Sequence, residues 1–130
     1  MSAEQEFPKF PKDFDELAVE PAPFDISSVK ELTILNHSKK YGILFKVKTS
    51  SNKRIKIDEC ADILKPGNQI TVPISKLTED LPRDNLFVIY TLVGPQWFDD
   101  KLSAFRCWER VKKQAIPTKC TTVRVKIPKK

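Results

Sequence analysis

The sequence predicts an all-β sandwich of about seven short strands carrying one short helix. Three observations lead there. Apolar and polar residues alternate over short runs, which is the period of a half-buried strand. Turn-forming residues interrupt those runs about every 8–12 residues, as in sandwiches. Proline is frequent and glycine scarce, ten against three, which suits strands ended by proline and leaves no glycine-rich phosphate loop.

Taken in order, residues 1–15 are charged and proline-broken and include Phe7, Phe10 and Phe14. They read as an N-terminal arm, either mobile or packed on the domain through those rings, ahead of a single domain over 16–130. Leu17-Ala18-Val19 is a first strand. Pro21-Ala22-Pro23 breaks it, since proline lacks the N–H that a ladder needs and sits only at sheet edges or bends. Val29 to Leu35, Gly42 to Thr49 and Arg54 to Ile57 are three more strands. Asp62-Ile63-Leu64 is extended and ends in Lys65-Pro66-Gly67, a turn by composition. Asn68 to Ile74 alternates Ile70, Val72 and Ile74 with polar residues, and Leu77 to Asn85 is a polar connection with at most one helical turn.

Leu86 to Val93 is apolar on nearly every residue, so it belongs in the centre of a sheet covered on both faces. Over 100–113 the period changes. Leu102, Phe105, Trp108 and Val111 recur every three residues behind the N-cap candidates Asp99 and Asp100, and Lys112 and Lys113 follow at the negative pole of a helix. Thr121 to Ile127 closes the domain. The core predicted from these faces is Leu35, Phe45, Val47, Ile55, Ile57, Ile70, Val72, Phe87, Ile89, Trp108, Val123 and Val125.

The chain has 130 residues, 40% hydrophobic and 31% charged, an ordinary globular composition with enough length for one real core. No apolar run approaches the roughly 18 residues of a membrane-spanning helix. The first six residues lack the apolar stretch of a signal peptide. Cys60, Cys107 and Cys120 are an odd number at unrelated spacings, and in a chain with no export signal they read as buried thiols in a reducing, cytosolic compartment.

Catalysis finds little support. His37 is the only histidine and lies in Asn36-His37-Ser38-Lys39-Lys40, a surface turn by composition, so no two-histidine relay can form. No two cysteines lie closer than thirteen residues, whereas structural zinc sites bring ligands in close pairs. Glu79-Asp80 and Asp99-Asp100 are more simply caps than an acid–base couple. Neither an enzyme nor any cofactor or metal is expected. A net charge of +6 and a basic C-terminal region favour acidic partners through attraction that salt weakens. For nucleic acid the charge is the whole case, because no reading motif is present.

The most informative stretch is 45–58. Phe45, Val47 and Thr49 alternate with Lys46, Lys48 and Ser50. Ser51-Asn52 turns the chain, and Ile55 and Ile57 alternate with Arg54, Lys56 and Asp58. Read as a strand pair, it has one apolar face and one face of cations and hydroxyls. Lys46, Lys48, Thr49, Ser50, Lys53, Arg54 and Lys56 are therefore the expected protein- or peptide-binding residues.

With these strands placed, the chain resembles the major sperm protein (MSP) domain family, of the nematode sperm cytoskeletal type, and is also similar to the VAP adaptor domain. Phe45-Lys46-Val47-Lys48-Thr49 looks like the signature strand of the adaptors. Lys53 to Asp58, followed by Ile63-Leu64-Lys65-Pro66, is similar to a strand and turn of the sperm proteins, and Pro21 to Asp25 and Leu32 to Asn36 resemble the family's opening. Asp84 to Val88 and Phe105 to Trp108 match later blocks more loosely. The resemblance implies an immunoglobulin-like seven-stranded sandwich, a cis bond before Pro23, and no enzymatic activity. It also implies filament formation or peptide docking, with partners among MSP-type filament proteins, acidic peptide segments or a second copy, in the cytoplasm and cytoskeleton of the sperm pseudopod. In the adaptors, the strand matching Lys46 to Ser50 takes an acidic peptide bearing two aromatic rings, helped by further residues near Leu86, Val88 and Cys120. Here those three positions are apolar or displaced, so the resemblance points to a filament component or filament-associated regulator ahead of a soluble adaptor.

Overall fold

Alternation decides which side of each strand is buried, and two apolar faces then close on one another. The computed structural model describes residues 7–26, 30–57, 61–78, 84–95 and 103–126. Its strands are β1 (Leu17–Glu20), β2 (Phe24–Asp25), β3 (Glu31–Asn36), β4 (Gly42–Thr49), β5 (Ile55–Ile57), β6 (Ala61–Leu64), β7 (Gln69–Lys76), β8 (Asn85–Val93) and β9 (Lys119–Lys126), with the helix α1 (Ser103–Lys113) before β9. They form an immunoglobulin-like sandwich. One sheet has the order β1-β3-β7-β5 and the other β2-β9-β8-β4-β6. The nine described strands exceed the expected seven because short edge pieces such as β2 count separately.

The main core lies between the sheets. Leu32, Ile34, Ile55, Val72 and Ile74 of one sheet meet Ile43, Phe45, Val47, Leu86, Val88, Val123 and Val125 of the other. β8 is central, between β9 and β4 as expected, but its inward residues are Leu86, Val88, Tyr90 and Leu92. Phe87 and Ile89 are half-buried on the outer face, and in β3 Leu35 is outward while Leu32 and Ile34 are buried. The predicted core was thus one residue out of phase in β3 and β8. Ile57 and Ile70 pack at the margin of the core.

A second, smaller core lies outside the five-stranded sheet. There Leu44 and Val93 meet Cys107 and Val111 of α1, and Phe7 of the arm completes the cluster. The arm is therefore packed from Phe7 onward. α1 begins close to the predicted start, and its last turn carries Arg110, Lys112 and Lys113 at the negative pole. Asp99, Asp100 and Leu102 lie outside the described residues, as do Val29, Asp58, Cys60, Glu79, Asp80 and Ile127.

Turns follow local chemistry. Lys65-Pro66-Gly67-Asn68 closes with the Asn68 N–H on the Lys65 carbonyl at 3.1 Å, with Gly67 at φ 79°, the left-handed position a type II turn requires. Both Glu20–Pro21 and Ala22–Pro23 are cis. Buried Asn36 ties the end of β3 to the opposite sheet, its Nδ2 donating to the carbonyls of Tyr41 at 2.8 Å and Leu64 at 3.2 Å.

Candidate functional site

The expected basic strand pair does not exist. β4 and β5 belong to different sheets, β4 pairing with β6 and β8, and β5 with β7. Residues 50–54 carry the chain from one sheet to the other instead of folding it into a hairpin. The cations of 46–56 are divided accordingly. Lys46 and Lys48 stand on the outer face of the five-stranded sheet, Lys56 is exposed on the other sheet, and Lys53 is exposed in the crossing turn.

Arg54 is held by an acid that the sequence reading passed over. Its Nε donates to Asp84 Oδ2 at 2.8 Å and its Nη2 to Oδ1 at 2.9 Å. The Asp84 side chain is 0% exposed against 36% for Arg54, so the carboxylate depends on this partner. The Arg54 hydrogen bond holds the Asp84 carboxyl below the ordinary carboxylate range against the opposing effect of burial, and Ser50 adds to the lowering. The Ser50 hydroxyl donates to Asp84 Oδ1 at 2.8 Å and accepts the Asn85 N–H at 2.9 Å. Thr49 Oγ1 accepts the Ser51 N–H at 3.2 Å. Arg54, Ser50 and Thr49 therefore brace the crossing between the sheets through the domain's own hydrogen bonds.

Lys46 and Lys48 meet different surroundings. Ile43, Phe45 and Val47 take the inward positions of β4, which leaves Leu44, Lys46 and Lys48 outward. Across the sheet Lys48 stands opposite Phe87 and then Thr122, and Lys46 opposite Ile89 and then Cys120. α1 packs against β4 and β6 on this same face. Trp108 joins helix to strand, its Nε1 donating to the Phe45 carbonyl at 3.2 Å, and the Lys46 Nζ lies 4.4 Å from the Trp108 ring centroid.

Between α1 and the sheet runs a groove of about 510 Å³, with Ile89 and Ile116 as apolar lining, Phe105 and Trp108 as aromatic walls, and Lys46 and Lys112 as cations. Glu109 is its one acidic residue. Phe105 is 73% exposed, an aromatic ring offered to solvent beside the groove. Burial lowers the Lys46 pKa first, and the nearby charges of Lys48 and Lys112 lower it further. An anion seated here would relieve that crowding of like charge.

Trp108, Phe105, Ile89 and Lys112 were missing from the expected site. Spacing by three suggests one buried stripe for Trp108 and Phe105, but residues spaced by three drift around a 3.6-residue helix. The buried face is Ala104, Cys107, Trp108 and Val111, spaced by three and four, and it turns Phe105 outward. Leu86 and Val88 point into the core, so their apolar character says nothing about this face, where Asn85 and Phe87 stand instead. Cys120 is exposed on the face, against the expectation that it is buried, while Cys107 is buried as expected. His37 is exposed. Among the described residues no group of three or more metal-ligating side chains gathers, and no helix is long and apolar enough to cross a membrane.

Comparison with known proteins agrees with this architecture. The family model of the MSP (major sperm protein) domain matches residues 13–113. Among solved structures the chain is similar to WR4, a C. elegans MSP family member, with a TM-score of 0.60 at 16% identity, covering 88% of this chain and 97% of that one. It is also similar to SSP-19, an MSP-domain protein like family member in Caenorhabditis elegans, with a TM-score of 0.65 at 17% identity, covering 87% and 100%. The periplasmic chaperone SfaE shares the fold more distantly, with a TM-score of 0.52 at 12% identity over 85% of this chain and 55% of that one. A sequence comparison with curated proteins gives no match.

Proposed function

Because the chain belongs to the major sperm protein domain family, we propose that it works without catalysis, as a filament component or filament-associated regulator of the nematode sperm motility cytoskeleton. Its docking surface is the outer face of the five-stranded sheet beside α1. Lys46 and Lys48 attract an acidic segment of an MSP-type filament protein, and the groove at Ile89, Phe105 and Trp108 receives an apolar side chain from it. The observation that carries this reading is the meeting of Lys46 and Lys112 with the exposed Phe105 ring in one groove, with the charge of Lys48 close to Lys46. Exposed ion pairs contribute only about 0.2–1 kcal/mol each, so binding combines several of them with apolar burial and is weak and salt-sensitive. The site of action is the cytoplasm, in the cytoskeleton of the sperm pseudopod.

Light scattering of an assembling MSP-type filament protein, with and without this chain, tests the proposal. A change in assembly rate or plateau that fades as salt rises supports it. Unchanged assembly at low salt, over the full concentration range, refutes it.

The exposed ring of Phe105 next to Trp108 favours a second reading, an adaptor that docks acidic peptides bearing aromatic residues. Saturable binding of such a peptide, without any effect on filament assembly, would select it.

A further inference from the structure

The arm ahead of β1 occupies a seat made by the body of the domain. Phe7 is only 3% exposed and sits with Leu44, Val93, Cys107 and Val111. Phe10 meets Tyr90 edge-on at 5.8 Å between ring centroids, and the Lys119 Nζ lies 4.8 Å from the Phe10 centroid. Phe14 packs on Phe10 at 5.6 Å. Even so, the seat is not filled. A mostly apolar hollow of about 370 Å³ remains between Phe7, Pro8 and Phe10 on one side and Thr91, Ile116 and Pro117 on the other.

The arm reaches this seat through a tight turn. The Phe14 N–H donates to the Pro11 carbonyl at 3.2 Å, and Asp13 within the turn has φ 59°. That left-handed conformation is unfavourable for any residue but glycine, although aspartate tolerates it better than most. A short connection held in such a conformation invites exchange between copies, because opening it relieves the strain while the same contacts re-form elsewhere. The arm also holds two copies of one tripeptide, Phe7-Pro8-Lys9 and Phe10-Pro11-Lys12, so its chemistry suits the seat in two registers.

We propose that the seat is a recognition site for the Phe-Pro-Lys arm of a second copy of this chain, and that arm exchange through the turn at Asp13 links copies together. The seat's own arm competes at an effective concentration in the millimolar range, so exchange is favoured where the protein is locally concentrated.

Sedimentation velocity of the full chain over a concentration series, with three variants, tests this. Asp13→Gly removes the penalty of the closed turn and should lower self-association. Asp13→Val raises that penalty and should increase it, with the two association constants differing by about fivefold or more. Pro117→Arg changes an exposed residue of the hollow and should weaken the seat for any arm, its own or a partner's, without unfolding the domain. A labelled peptide of residues 7–14 should bind Phe7→Ser/Phe10→Ser more tightly than wild type. Should that variant not fold, binding to wild type and its loss in Pro117→Arg serve the same purpose. The proposal is overturned if wild type and Asp13→Val stay monomeric throughout. It is equally overturned if the two Asp13 variants associate alike, if the peptide binds Pro117→Arg as tightly as wild type, or if it binds neither folded protein.

Discussion

Lys46-Val47-Lys48 and Arg54-Ile55-Lys56 are the same pattern, a cation on either side of a buried aliphatic residue, eight positions apart. In the fold they lie on opposite sheets with different surroundings. Of the first pair, Lys46 lines a groove walled by Trp108 and Phe105, with the charges of Lys48 and Lys112 nearby. In the second, Arg54 is fixed by a buried carboxylate. Alternation decides which way a cation points, whereas its work depends on what the rest of the chain brings opposite to it. A lysine among like charges is eased by an anion placed beside it. An arginine on a buried aspartate is a brace.

The two segments should differ most in what they contribute to stability. Arg54→Ala leaves the buried Asp84 carboxylate without its main partner and should cost about 3 kcal/mol of stability, measured by urea denaturation. Lys46→Ala loses only the contact with Trp108, about 0.5–1 kcal/mol. If both variants are equally stable, the two segments are not the different things described here.

Acid sharpens the same contrast. The Asp84 pKa is lowered in the fold, chiefly by the Arg54 hydrogen bond, so its contribution is complete above the unfolded carboxylate value of about 3.9 and is lost as pH falls through the folded value. Asp84→Asn should be less stable than wild type at neutral pH, with the gap closing below about pH 4. A constant gap down to pH 2 would show that the Arg54–Asp84 pair does not set the acid sensitivity of the fold.

Smaller still is the expected effect of Phe105→Ala on stability. The ring is largely exposed, so denaturation should shift by less than about 0.5 kcal/mol. Affinity for an acidic aromatic peptide should nevertheless fall severalfold by fluorescence titration, which would separate a docking ring from a structural one.

The strand pattern, the central place of β8, the helix over 103–113 and the cis bond at Pro23 were all legible, the last through family resemblance. What escaped has physical causes. β8 is apolar on both faces because α1 and the arm cover part of the outer one, so hydrophobicity alone cannot set its phase. The pairing of β5 with β7 escaped because Ser50 to Lys53 has the composition of a hairpin turn, and only the distant Asp84, thirty residues beyond Arg54, shows that the chain crosses between sheets. Of the candidate site, Lys46 and Lys48 were read correctly as outward. The groove beside them was not, since it takes shape only when α1 lies back on β4 and β6.

In the proposed function the face beside α1, and not the basic surface as a whole, makes the contact. Co-sedimentation with MSP-type filaments at low salt tests it most directly, comparing Lys46→Glu/Lys48→Glu with Lys53→Glu/Lys56→Glu, two variants of identical net charge. The first pair should lose filament binding about tenfold or more, while the second stays within about twofold of wild type. Equal losses in both pairs, or a loss confined to Lys53 and Lys56, would contradict it.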